Sequence, residues 1–93
     1  MKTVWKFAFE VVMDEVVIRM PKGAETLCVQ VQNSAPCLWA LVDADAPMRV
    51  HKFQVRGTGH NADDVGSYVG TFQSHGGAFV GHVFDAGELP GAE

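Results

Sequence analysis

Trp5-Lys6-Phe7-Ala8-Phe9-Glu10-Val11 is the stretch on which the fold class turns. Trp5, Phe7, Phe9 and Val11 take every second position, and Lys6, Ala8 and Glu10 fill the gaps. Successive side chains of a strand point to opposite faces. A period of two over this length therefore predicts a strand with one face buried, carrying Trp5, Phe7, Phe9 and Val11 inward.

Working outward, the same reading recurs. Val12-Met13-Asp14-Glu15 predicts a turn, and Val16-Val17-Ile18-Arg19-Met20 a short β-branched strand. Pro21-Lys22-Gly23-Ala24 then predicts a tight reversal, because proline fixes φ and glycine admits the left-handed region. Leu27 to Gln32 alternates with Leu27, Val29 and Val31 expected inward, and Asn33-Ser34-Ala35-Pro36 turns the chain back. Cys37-Leu38-Trp39-Ala40-Leu41-Val42 is apolar on both faces, which predicts a central strand covered on both sides or facing a subunit partner. Asp43-Ala44-Asp45-Ala46-Pro47 ends it. In the next strand His51, Phe53 and Val55 face one way, and Val50, Lys52, Gln54 and Arg56 the other. Gly57 to Asp64 reads as a polar loop, with one helical turn expected at 61–65. Ser67 to Gln73 and Ala78 to Phe84 are two more strands, joined by the turn Ser74-His75-Gly76-Gly77. Gly70 and Gly81 inside these strands predict bulges or close backbone approach.

About seven short strands, with a turn every ten residues or so, predict an all-β fold: a small antiparallel β-sandwich or a partly open β-barrel. The domain is expected over residues 1–86, with 87–93 a flexible tail lacking any periodic pattern. So small a sheet protein leaves edges exposed unless it closes or pairs with another copy, so a homo-oligomer is expected.

Composition narrows the function. The chain has 93 residues with 47% apolar and 19% charged, which suits one small globular domain and not a disordered segment. No apolar run reaches the roughly 20 residues of a membrane helix, and the charged N-terminus is not a secretory signal. Net charge is −4, and only Arg49, Lys52 and Arg56 cluster among the cations. Nucleic acid is thus disfavoured as a partner, since phosphate neutralisation needs a basic face. Cys28 and Cys37 are expected to be reduced, small, semi-buried residues of a cytoplasmic protein.

Three sets of residues could carry chemistry. His60, His75 and His82, with Asp63, Asp64 and Asp85 near by, have ligand chemistry for zinc or iron, but their spacing fits no metal signature. They are read as structural histidines, and no metal or cofactor is expected. Gly57-Thr58-Gly59-His60 could expose consecutive N–H groups to a phosphate or carboxylate, with Arg56 adding charge-assisted bonds. It lacks the lysine and spacing of a P-loop. Trp39, Leu41 and Cys37 on the doubly apolar strand are candidates for an interface. No Ser, Cys or Thr stands in a nucleophile motif, so no catalytic residue is assigned and a non-enzymatic protein is expected.

Several segments together resemble a family of small, mostly uncharacterised proteins encoded by bacteriophages and prophages. They are Met20-Pro21-Lys22-Gly23-Ala24, Val29-Gln30-Val31-Gln32-Asn33, Cys37-Leu38-Trp39-Ala40-Leu41-Val42-Asp43, Gly57-Thr58-Gly59-His60, Tyr68-Val69-Gly70-Thr71-Phe72-Gln73 and His82-Val83-Phe84-Asp85. The likeness spans about residues 1 to 85, with Gly81 in place of a bulkier residue and Asp85 in place of Glu. It implies phage origin and action in the host bacterial cytoplasm, and it brings no catalytic residue. The expected function is binding and blocking of a host protein or complex, as an anti-defence, anti-CRISPR-like or host-takeover inhibitor. A small-ligand or nucleotide-binding module using Arg56 to His60, and a minor virion structural protein, are the alternatives.

Overall fold

A computed structural model describes residues 1–11 and 14–90. Among them are seven strands: β1 (Lys2–Ala8), β2 (Glu15–Pro21), β3 (Glu25–Gln32), β4 (Ala35–Asp43), β5 (Met48–Gly57), β6 (Ser67–Ser74) and β7 (Phe79–Glu88). All paired neighbours are antiparallel, in a three-stranded sheet β1-β4-β3 and a four-stranded sheet β2-β5-β7-β6. The two sheets pack face to face without closing, so of the two architectures expected the sandwich is the one formed. No helix among the described residues is long and apolar enough to cross a membrane.

The core is the meeting of the two inner faces. Leu38, Ala40 and Val42 of β4 are fully buried against Phe53, Val55, Val83, Met20 and Phe72. Each of these side chains other than Ala40 contributes about 1.5–3 kcal/mol by leaving water. Trp5 and Phe7 pack on this core from β1, in the phase expected of them. The strand itself starts three residues earlier than expected and ends at Ala8, although Phe9 stays buried and donates its N–H to Pro36 O. Val11 is exposed instead of facing inward, because the ladder has already ended. The expected turn at 12–15 falls partly on Val12 and Met13, outside the described residues, and Glu15 opens β2.

Bulges account for the other departures. In β3, Thr26 pairs Ala40 and Cys28 pairs Trp39, so Leu27 is an extra residue. One extra residue flips the alternation. Leu27 is 48% exposed and Val31 at the strand end 37%, while Val29 alone of the expected trio is buried. In β6 the extra residue is Val69, and in β7 it is Ala86. The loop after β5 carries a turn at Asp63–Asp64 and no helical turn at 61–65. The expected tail begins inside the sheet: β7 runs to Glu88, whose carboxylate accepts from Gly23 N–H, and Leu89 N–H donates to Val50 O. Alternation missed this because the Ala86 bulge and Gly87 break the period.

One long side of the sandwich is closed by β3 against β6. A Cβ on Gly70 would lie 2.9 Å from Val29 Cγ1, so glycine permits that approach. The opposite side, between β1 and β2, is open.

Candidate functional site

The β3–β4 and β6–β7 connections meet at one end of the sandwich. Asn33 and Ser34 form a two-residue hairpin loop, with φ of 53° and 68°. Both central residues of such a loop need positive φ, which asparagine tolerates and serine pays for in strain. In the other turn His75, Gly76 and Gly77 are all left-handed, with His75 at φ 54°. Asn33, Ser34 and His75 are the only non-glycine residues of positive φ among those described. Each costs on the order of 1–3 kcal/mol, and such residues concentrate where function fixes the backbone.

All three border a groove. Its apolar part, ≈ 350 Å³, is lined by Val11, Pro36, Phe72 and Phe79, with Ser34, Ser74 and His75 at the rim. A second, more polar part of ≈ 450 Å³ shares Ser34, Ser74 and His75 and continues past Asn33 and Gln73. The floor exists because of Gly81. A Cβ there would stand 2.7 Å from two ring atoms of Phe72 and 3.0 Å from Phe79, so the rings occupy the room a side chain would take. Phe72 also meets Phe79 at 5.9 Å and Phe9 edge-on at 6.1 Å between centroids. Ser74 Oγ and His75 Nδ1 are 3.1 Å apart. An aromatic floor with a few hydroxyl and imidazole groups at its lip, and no carboxylate, ammonium or guanidinium among the described lining residues, suits an apolar group with a polar end.

The glycine-threonine motif is built differently from an anion nest. His60 N–H bonds Gly57 O, closing a turn in which Gly59 has φ 87° and the His60 ring covers Gly57. The Arg56 guanidinium is spent on the loop. It donates to the main-chain oxygens of Asn61, Asp14 and Val55 and pairs with Asp64 at 3.3 Å. Gln54 completes the staple, donating to Asp64 O and accepting from Gly66 N–H, which is why it is buried on an outer face.

The pairing of β5 with β7 brings two separately singled-out residues together. Thr58 Oγ1 lies 2.7 Å from His82 Nε2, and Thr71 Oγ1 lies 2.9 Å from His82 Nδ1, with Tyr68 OH 2.6 Å beyond Thr71. Hydroxyls therefore engage both ring nitrogens. His60 and His75 lie elsewhere, and no three His, Cys, Asp or Glu side chains converge as metal ligands among the described residues.

A buried pair escaped sequence reading. His51 Nε2–H donates to Asp85 Oδ1 at 2.7 Å, and Gly87 N–H donates to the same oxygen. The His51 ring stacks on Phe53 at 4.8 Å, and its Nδ1 is buried with no partner. The one available signal was His51 in phase with Phe53 and Val55; its carboxylate is 34 residues away.

Cys37, Trp39 and Leu41 occupy the face of β4 turned away from the core. Their register places them beside Lys6, Ala8 and Val4 of β1 and Glu25, Cys28 and Gln30 of β3. Trp39 and Leu41 stay half-buried, Val4 is 50% exposed, and Cys37 is covered by its neighbours. The strand is thus covered on one side only, with no described element over its outer face. Both cysteines are free thiols on this face.

At the opposite corner the Met1 ammonium sits 2.9 Å from Asp45 and 3.3 Å from Asp43. These hydrogen bonds, to Asp45 first and then Asp43, hold the ammonium above its ordinary pKa. The Asp45 backbone N–H, followed by the ammonium, holds the Asp43 carboxyl below the usual carboxylate value.

No curated protein and no solved structure matches the chain. Residues 1–91 match a family described as Domain of unknown function (DUF7352), and the chain belongs to that family.

Proposed function

We propose that this chain is a non-enzymatic binding protein whose groove between the β3–β4 and β6–β7 turns receives an apolar side chain of a partner protein. The observation that carries this reading is the groove's lining: an aromatic floor made possible by Gly81, and a rim of Ser34, Ser74 and His75 in which Ser34 and His75 are held in costly positive-φ conformations. Desolvated pockets that accept one aromatic or aliphatic anchor dominate the energetics of protein interfaces. The resemblance to phage- and prophage-encoded proteins makes a host protein of the bacterial cytoplasm the proposed partner, and obstruction of that partner the proposed outcome. The nucleotide reading has less support, because Arg56, its cation, is already engaged by the loop it would have to leave.

Capture from bacterial lysate tests the proposal. Ser74 has extended backbone, so Ser74→Trp fills the groove from its rim without strain. Val17→Trp, on an exposed part of β2, is the control. A partner should bind the wild-type chain and the control and be lost from Ser74→Trp, with all three melting alike. No enriched partner, or one retained equally by Ser74→Trp, refutes the proposal.

A further inference from the structure

Strands β1, β3, β2 and β6 lie at sheet edges, and β3 and β6 face each other along the closed side. That leaves β1 and β2. An edge strand turns alternate N–H and C=O groups away from its one neighbour. Val55 N–H bonds Asp14 O and Lys22 N–H bonds Pro47 O, at the two ends of an unbroken β2–β5 register. The even-numbered residues of β2 are therefore the ones bonded to β5. Glu15, Val17 and Arg19 turn their N–H and C=O groups to the free edge, and Pro21, with no N–H to offer, ends it. The same three side chains are exposed on the outer face of the sheet. On β1 the corresponding residues are Lys2, Val4, Lys6 and Ala8. They include no anion, so no register of two β1 strands pairs opposite charges.

Two β2 strands can pair antiparallel about a two-fold axis, and the odd-numbered residues must then exchange the hydrogen bonds. An axis through Glu15 or Arg19 sets like charges together. An axis through Val16 or Ile18 sets one charge against Val17. An axis through Val17 pairs Glu15 of each copy with Arg19 of the other, and Val17 with its own equivalent. Every outward N–H and C=O of the three residues then has a partner, and the interface is self-complementary as a two-fold contact requires. Lys52 Nζ lies 3.0 Å from Glu15 Oε2, which leaves Oε1 for the arginine; the Arg19 guanidinium has no partner among the described residues. In this register Ile18 of one copy lies across from Val16 of the other on the inner face. A groove of ≈ 420 Å³, lined in part by Ala8, Phe9 and Val16, follows the edge past Glu15 and Val17 and receives that Ile18.

We infer that β2 is a homodimerisation edge in the register centred on Val17, joining the two four-stranded sheets into one continuous sheet. Main-chain bonds rather than buried area give strand addition its affinity, so the association is weak and reversible. Residue 17 projects from the exposed face of the ladder, so a larger side chain there leaves the main-chain bonds in place. The groove between the β3–β4 and β6–β7 turns uses none of the residues from Glu15 to Arg19 and stays open in the dimer, so the dimer and the proposed function stand or fall separately.

Sedimentation equilibrium of the intact chain from about 1 to 500 μM, the span of a weak association, is the test. Wild type should pass from monomer to dimer across the range. Glu15→Arg makes every cross-strand charge pair positive, and Arg19→Glu makes every one negative. Each variant alone should self-associate about tenfold more weakly, the loss shrinking at high salt. The two variants mixed should form a heterodimer at least as tight as the wild-type dimer, because both charge pairs become attractive again. Val17→Pro deletes an N–H that β5 does not use, so it should keep the fold and stay monomeric. Circular dichroism of each variant controls for folding. Wild type that stays monomeric to the highest concentration overturns the inference. So does a dimer indifferent to the charge substitutions, a mixture that fails to pair, or a folded Val17→Pro that dimerises as wild type does.

Discussion

Gly70 and Val29 set the distance between β3 and β6, and a double-mutant cycle measures what that contact is worth. Gly70→Ala places a Cβ 2.9 Å from Val29 Cγ1, with Val29 backbone behind it at 3.7 and 3.9 Å. Overpacking of this kind costs about 1–3 kcal/mol. Replacing a strand glycine with alanine returns about 0.5–1 kcal/mol. The net expectation is a loss of about 0.5–2 kcal/mol. Val29→Ala removes two buried methyl-sized groups and leaves a void, a loss of about 1.5–3 kcal/mol. In the double variant the new Cβ enters the space the valine vacated, and the clash disappears. The double loss should therefore fall short of the sum of the single losses by about 1–2 kcal/mol. Urea denaturation with unchanged m-values reads this directly, and each kcal/mol corresponds to about 4–8 °C in a chain of this size. Additivity within about 0.5 kcal/mol would mean that the two residues do not touch, and the closed side of the sandwich would be wrongly drawn.

Other expectations follow from single contacts. Gly66→Ala should be the most damaging glycine substitution, because its Cβ would stand 2.0 Å from Asp85 O, a backbone atom that cannot step aside. A loss of about 3 kcal/mol or more is expected, and a melting temperature within a few degrees of wild type would contradict it. Asp85→Ala strands both nitrogens of buried His51 and should cost about 1–3 kcal/mol. Adding His51→Phe should restore most of that loss, since an apolar ring suits the stack on Phe53; a double variant no better than the single one removes the argument. Stability should also carry a small pH signature from the Met1 corner. The ammonium's raised value makes its contribution complete below the unfolded value near 8.0 and lost as pH rises through the folded one. Asp43's lowered value makes its contribution complete above 3.8 and lost as pH falls through the folded one. The full effect thus lies between those limits. Because the groups are exposed it should be slight and fade in high salt. NMR titrations with both groups at ordinary values would dismiss it.

What was legible in the sequence was whatever depends on neighbours along the chain. The alternation of Trp5 and Phe7 and of Phe53 and Val55 put residues that share a core-facing side in one phase, because each run lies in a strand stretch where successive residues pair without interruption with β4 or β2; in β4, apolar on both faces, alternation could not choose the inner one. Where the ladder takes an extra residue the same reasoning misplaces side chains, as it did Leu27, since parity holds only between bulges; Val31 keeps the register of Val29 and is exposed because it lies at the strand's end. Gly70 and Gly81 were marked as points of close approach, and both are; the atoms that approach, Val29 and the Phe72 and Phe79 rings, belong to the pairing of sheets and have no local trace.

The candidate site obeys the same division. Each of its two turns could be read from its own residues, as Asn33-Ser34 and His75-Gly76-Gly77 were. That they share a groove follows from the sheets themselves: β3 and β6 run side by side, so the turns that end them must emerge at one end. The outer face of β4 adds a further step. β4 was apolar at every position because one face serves the core, leaving Trp39 and Leu41 to serve another surface. Only register revealed that this surface also carries Val4 of β1 and Cys28 of β3, and that Lys6 reaches across it to Gln32. A strand that is apolar on both faces states a demand for two coverings, and among the described elements the fold supplies one.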